Sequence, residues 1–176
     1  MSLDARKPAP AAEPESEPQI DLGPLNVAWR IGGPDHVALR LSFVAKLFDR
    51  YLTRQLSESG LTVAEWRVMA QLAYADDSTV RELARQAWVD RAEVSRAAAS
   101  LARKQLLVRH PNADDKRQPR FSLTEAGRAR YAAFQPQWRE LQKLMAGRLQ
   151  PQELALMNDK FAEFARLLLD LLHDED

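Results

Sequence analysis

Thr79-Val-Arg-Glu-Leu-Ala-Arg-Gln-Ala-Trp-Val-Asp-Arg-Ala-Glu-Val-Ser-Arg96 is the stretch whose reading decides the fold. Thr79 with Glu82, and Asp90 with Glu93, have the spacing of capping boxes that open helices. Val80, Leu83 and Ala84 mark the apolar face of the first helix; Val94, Ala98 and Leu101 mark that of the second. The first ends near Ala87, Trp88-Val89 is a tight connection, and Ala84 is small where the two would cross. Two short helices joined this way predict a helix-turn-helix. With Val94, Ala98 and Leu101 facing inward, the second helix presents Arg91, Ser95, Arg96, Ala99 and Arg103 outward. The first turn of such a helix reaches base edges, where Arg pairs bidentately with guanine and Ser contacts base or phosphate. Glu93 reads as a cap rather than a reader of cytosine.

The flanks extend the pattern. Upstream, a helix is expected over 34–57, with Pro34 at its first position, Gly60 beyond its stop, and a stripe of Val37, Leu41, Val44, Phe48 and Tyr51. Thr62 and Glu65 form a third capping box ahead of Trp66, Met69 and Leu72. Downstream, 106–109 and 120–123 read as two strands joined by a polar tip, His110 to Pro119. Lys116 and Arg117 on that tip suit the negative minor groove. Asp114 and Asp115 would sit oddly beside phosphate, unless one holds a nearby arginine through a charge-assisted pair; Arg109 and Asp115 are the expected wing-stabilising residues. A solvated charged loop is the bland alternative.

Thr124 caps a helix expected to reach about 148, kinked by Pro136, and Pro151 opens a last helix to about 172. Tyr131, Phe134, Trp138, Leu141 and Met145 repeat in steps of three and four, as do Leu154, Met157, Phe161, Phe164, Leu168 and Leu171. Core helices show such seams too, but two long ones exceed what a domain this size buries. Phe161, Phe164, Leu168 and Leu171 are therefore expected between two copies of the chain. The predicted fold is mainly α with a small β-hairpin wing: a winged helix-turn-helix lobe plus a helical dimerisation region. Residues 1–33, rich in Pro, Ala and Glu, are expected to be a disordered tail, although Leu22 to Ile31 with Trp29 is apolar enough to dock. Residues 34–60 form the first helix, for dimerisation or ligand. Residues 61–123 form the DNA-binding lobe and 124–172 the dimerisation helices.

Charge supports this division. The formal net charge is zero, yet residues 79–130 carry 12 basic and 6 acidic side chains. A local basic footprint is what nucleic acid requires, whatever the global balance. The 176 residues contain no cysteine, which removes disulfides, thiolate metal sites and cysteine redox sensing, and three scattered histidines make no metal site. No apolar run approaches a membrane span and no signal peptide opens the chain, so a cytoplasmic location is expected. Nucleophile–base pairs, phosphate-binding glycine loops and paired apolar carboxylates are missing, so an enzyme is not expected, nor is a cofactor.

The blocks Leu61-Thr-Val-Ala-Glu-Trp-Arg-Val-Met69, Glu82-Leu-Ala84, Val89-Asp-Arg-Ala-Glu-Val-Ser-Arg96, Leu106-Leu-Val-Arg109, Asp115-Lys-Arg117 and Leu123-Thr-Glu-Ala-Gly127 resemble the MarR family of bacterial regulators over roughly residues 35–172. The resemblance implies a homodimer on a palindromic operator, usually repressing, and released by a small ligand, commonly an aromatic acid. It implies that Asp115 and Arg117 are the wing pair and that Arg91, Ser95 and Arg96 lie on the recognition helix. The chain departs from the family at Trp88, where a smaller aliphatic is usual, and at Gln105, where glycine is usual. For the ligand, His36 and Arg40 share a helical face continued by Phe43, with Asp35 at its edge and Trp66 in reach; this suits an aromatic carboxylate of hydroxybenzoate, hydroxycinnamate or nicotinate type. An inter-subunit salt-bridge network of Asp35, His36 and Arg40 is the competing reading. The competing function is a winged-helix module that binds protein without reading DNA.

Overall fold

The structure is a computed structural model that describes residues 22–173, apart from 32, 34, 88, 114 and 116. Most of the expected tail, the helix-opening Pro34, the Trp88 departure and the wing residue Lys116 thus lie outside the described residues. The chain divides into two units, residues 1–51 and 52–176.

In the first unit, residues 23–30 are helical, within the stretch from Leu22 to Ile31 that is more apolar than the rest of the expected tail. A 3-10 turn at Gly23–Leu25 leads into α1, Asn26–Arg30. Its half-buried Leu22, Leu25 and Trp29 supply the apolar surface that the Pro-Ala-Glu stretch lacks. The Asn26 side chain accepts from the Leu22 N–H at 2.8 Å. Helix α2, Val37–Leu56, follows.

In the second unit, the last turns of α2 bury Leu52 and Leu56. Gly60, at φ 67°, closes the next turn in the left-handed conformation that glycine adopts without cost. Helix α3, Val63–Ala75, opens with the predicted box: Glu65 N–H donates to Thr62 Oγ1 at 3.1 Å, and Thr62 N–H donates to Glu65 Oε2 at 2.8 Å. Helix α4, Val80–Ala87, opens the same way, with Thr79 and Glu82 exchanging bonds of 2.8 and 3.2 Å. Helix α5, Arg91–Arg103, does not: Asp90 accepts from Ala92 N–H at 3.1 Å, so its cap is one-sided. Leu72, Leu83, Leu101 and Met69 form the core where α3, α4 and α5 meet.

The wing is a three-stranded antiparallel sheet of order β1-β3-β2, with β1 at Asp77–Thr79, β2 at Leu107–His110 and β3 at Arg120–Leu123. Two strands were legible; β1 was not, because Asp-Ser-Thr has a single β-former, Thr79, which also caps a helix, and no apolar alternation. It forms because β3 has a second edge to fill, with Thr79 opposite Arg120 and Asp77 opposite Ser122. Asp76 enters it at φ 60°, ψ −55°, a sparsely populated conformation.

Helices α6, Glu125–Ala146, and α7, Pro151–His173, complete the unit. The start of α6 explains the Leu-Thr-x-x-Gly spacing. Thr124 Oγ1 accepts from Gly127 N–H at 3.0 Å and donates to the Gln105 carbonyl at 2.8 Å. A Cβ on Gly127 would fall onto the Leu106 carbonyl oxygen, so the helix seats itself only where glycine stands. Gln105, where the family usually has glycine, has φ 59°.

Candidate nucleic-acid interface

Helices α4 and α5 pack together through a turn in which Val89 N–H donates to the Ala84 carbonyl at 3.2 Å. Val94, Ala97, Ala98 and Leu101 are buried, so α5 turns its other face outward. Arg91, Ser95, Arg96, Ala99 and Arg103 are all exposed on that face. The α5 N-terminus, whose free N–H groups favour anions, is the end that carries Arg91 and Ser95.

Across from it stands the wing. A groove of about 290 Å³ runs between Val80 and Arg81 of α4, Arg91 and Ser95 of α5, and Arg109, Arg117 and Phe121 of the wing. Four guanidinium groups therefore border one open groove, and none makes an ion pair with a described residue. A groove bordered by cations that have no ion-pair partner among the described residues is complementary to a polyanion. Arg81 is not evident as a groove residue from the sequence, because it lies on the first helix of the pair, whose signal is its apolar face.

The wing tip is held differently from the expectation. Asp115 does not hold an arginine side chain among the described residues. It accepts from the Arg117 backbone N–H at 2.9 Å and from Gln118 Nε2 at 2.8 Å, a turn-stabilising use of aspartate. Arg109 and Arg117 are thereby left facing the groove. The arginine that is held is Arg120, at the wing root: Nε and Nη2 donate to the two carboxylate oxygens of Asp77 at 2.9 and 2.8 Å, and Nη1 lies 3.5 Å from Glu82 Oε2. The bidentate bond from Arg120 holds the Asp77 carboxyl below its usual range, and the Thr79 N–H does the same for Glu82.

The expected ligand residues fall in both units, Trp66 in the second and Asp35, His36, Arg40 and Phe43 in the first. Trp66 is 6% exposed and packs on Phe134, edge to face at 5.6 Å, and on Trp138 at 4.8 Å. It belongs to the core of the second unit, and its Nε1 is buried without a hydrogen-bond partner. In the first unit, Asp35 and His36 are exposed and Phe43 is half-buried. The Arg40 guanidinium lies 5.2 Å from the Trp29 ring centroid, and Nη2 donates to the Gly33 carbonyl at 3.4 Å. Of the seam residues, Phe161, Leu168 and Leu171 are exposed in the single chain and Phe164 is half-buried. No group of His, Asp and Glu able to hold a metal occurs among the described residues, and no described helix is long and apolar enough to cross a membrane.

Residues 59–118 match the MarR family. The fold is similar to that of a MarR mutant from E. coli complexed with operator DNA, at 26% identity and TM-score 0.66, over 73% of this chain and 92% of that one. It is also similar to the S. aureus MepR–DNA complex, at 20% identity and TM-score 0.70, over 76% and 98%. A MarR family transcriptional regulator from Silicibacter pomeroyi aligns at 19% identity and TM-score 0.68, over 77% and 93%. At those lower identities the likeness is one of fold. The comparison with curated proteins finds no match.

Proposed function

We propose that this chain, whose residues 59–118 match the MarR family, is a transcriptional regulator of that family that binds duplex DNA as a homodimer. The observation that carries the reading is the groove bordered by Arg81, Arg91, Arg109 and Arg117, beside the exposed Arg96 of α5. DNA is the polyanion that fits a helix-turn-helix with a basic wing: α5 enters the major groove and Arg117 reaches the minor groove. That a MarR and a MepR of the same fold have been seen on DNA supports it. The exposed apolar face of α7 supports the second copy, and the pseudo-palindromic site follows from its two-fold symmetry.

In its finer form, the protein is a repressor released by a small planar aromatic acid, with Arg40 taking the carboxylate and His36, Asp35 and Phe43 beside it. The flat Trp29 ring already stacked on Arg40 supports an aromatic ligand there. Trp66 leaves this set, because Phe134 and Trp138 cover it.

The test is an anisotropy titration of a duplex selected by the wild-type protein from a random pool, at several salt concentrations. Affinity should fall steeply between about 50 and 200 mM salt, and Arg91→Ala and Arg117→Ala should weaken it. Binding that ignores salt, or variants that bind as well as wild type, would favour a protein-binding module instead. The effector is tested in the same titration: candidate aromatic acids should release wild-type protein from the duplex but not Arg40→Ala.

A further inference from the structure

Arg120 stands one residue beyond the wing tip and does not line the arginine groove. Its guanidinium is occupied. Nε and Nη2 grip both oxygens of Asp77 on β1, Nη2 also donates to the Asp77 carbonyl at 3.3 Å, and Nη1 faces Glu82 of α4. Glu82 is in turn bonded to Thr79 N–H and Oγ1 at 2.8 and 3.1 Å. One side chain thus joins wing, β1 and the first helix of the pair. Its neighbours line the groove: Phe121 follows Arg120, Arg81 precedes Glu82, and Arg117 lies three residues back. The β1 ladder is only three residues long and is entered through the strained Asp76, so the backbone alone fixes this wall weakly. A bidentate guanidinium–carboxylate bond fixes orientation as well as distance. Partly exposed as it is, the pair adds little to stability.

We propose that Arg120 is a positioning residue: clamped between Asp77 and Glu82, it sets the wing arginines against Arg81 at the separation DNA requires. This rests on the DNA-binding reading above. The experiment is a double-mutant cycle. Arg120→Gln and Asp77→Asn are each measured alone and combined with Arg117→Ala, on a duplex selected by the wild-type protein from a random pool. Each clamp variant alone should lose about tenfold in affinity, with a shallower salt slope and an almost unchanged melting temperature. In the Arg117→Ala background each should cost little more, because the contact it positions is already gone. Fully additive losses, or unchanged affinity in both clamp variants, overturn the clamp while leaving DNA binding intact. Failure of the wild-type protein to select any duplex overturns the DNA-binding reading itself, and the clamp with it. If Arg120→Gln unfolds, Asp77→Asn carries the same cycle with the groove residues untouched.

Discussion

Glu65 is 2% exposed and yet ionised. Burial by itself pushes its carboxyl up; hydrogen bonds from Lys104, the Thr62 N–H and Ser100 outweigh this and hold it below the ordinary 4.5. Lys104 Nζ lies 2.7 Å from both carboxylate oxygens and 2.7 Å from the Gly60 carbonyl, so it pins the start of α3 to the end of α5. Removing one partner of a buried pair is costly, but Lys104 is 37% exposed and water screens it. Glu65→Gln should therefore cost about 1–3 kcal/mol, lowering the melting temperature by roughly 3–10 °C. A depressed folded pKa gives stability that is present above the unfolded pKa and lost as pH falls through the folded one. The gap between wild type and Glu65→Gln should thus hold at neutral pH and narrow below about pH 4.5. A gap that widened in acid would contradict the pairing. Gln105 offers the opposite case. Its φ of 59° suits glycine, and its backbone bonds to Ala102 and Thr124 survive substitution. Gln105→Gly should be neutral or stabilise by up to about 1 kcal/mol, read by thermal melting. A clear loss would mean that the side chain does something the backbone does not.

Among the elements, those whose signal is local were legible. The boxes at Thr62 and Thr79 lie in the residues themselves, and so does the outward face of α5. What was not legible depends on distant partners. β1 exists only because β3 offers an edge, Arg120 finds Asp77 43 positions away, and Trp66 is claimed by Phe134 and Trp138 of a helix far along the chain. The family motif was read as a pattern; its cause is packing, since the Gly127 position lies against the Leu106 carbonyl. Gly127→Ala should displace α6 from the wing and cost about 1–3 kcal/mol, the usual range for overpacking. A melting curve indistinguishable from wild type would show that α6 can shift without penalty.

For the molecule as a whole, a neutral chain concentrates its excess of basic over acidic side chains in residues 79–130 and exposes apolar surface on its last helix. Leu156, Leu167, Leu168, Leu171 and Leu172 are each more than half exposed on α7. Burying a leucine yields about 1.5–3 kcal/mol, so five of them form a strong drive to associate. Phe164→Asp with Leu168→Asp should give a monomer in sedimentation, or fail to fold. Both features together imply two chains on one duplex. The direct measurement is sedimentation of the wild-type protein with a duplex that it has itself selected. A single complex of two chains per duplex is expected, dissolving as salt is raised, from a free protein that is already a dimer. A folded monomer at micromolar concentration, or a protein that leaves every duplex unbound at low salt, would contradict it.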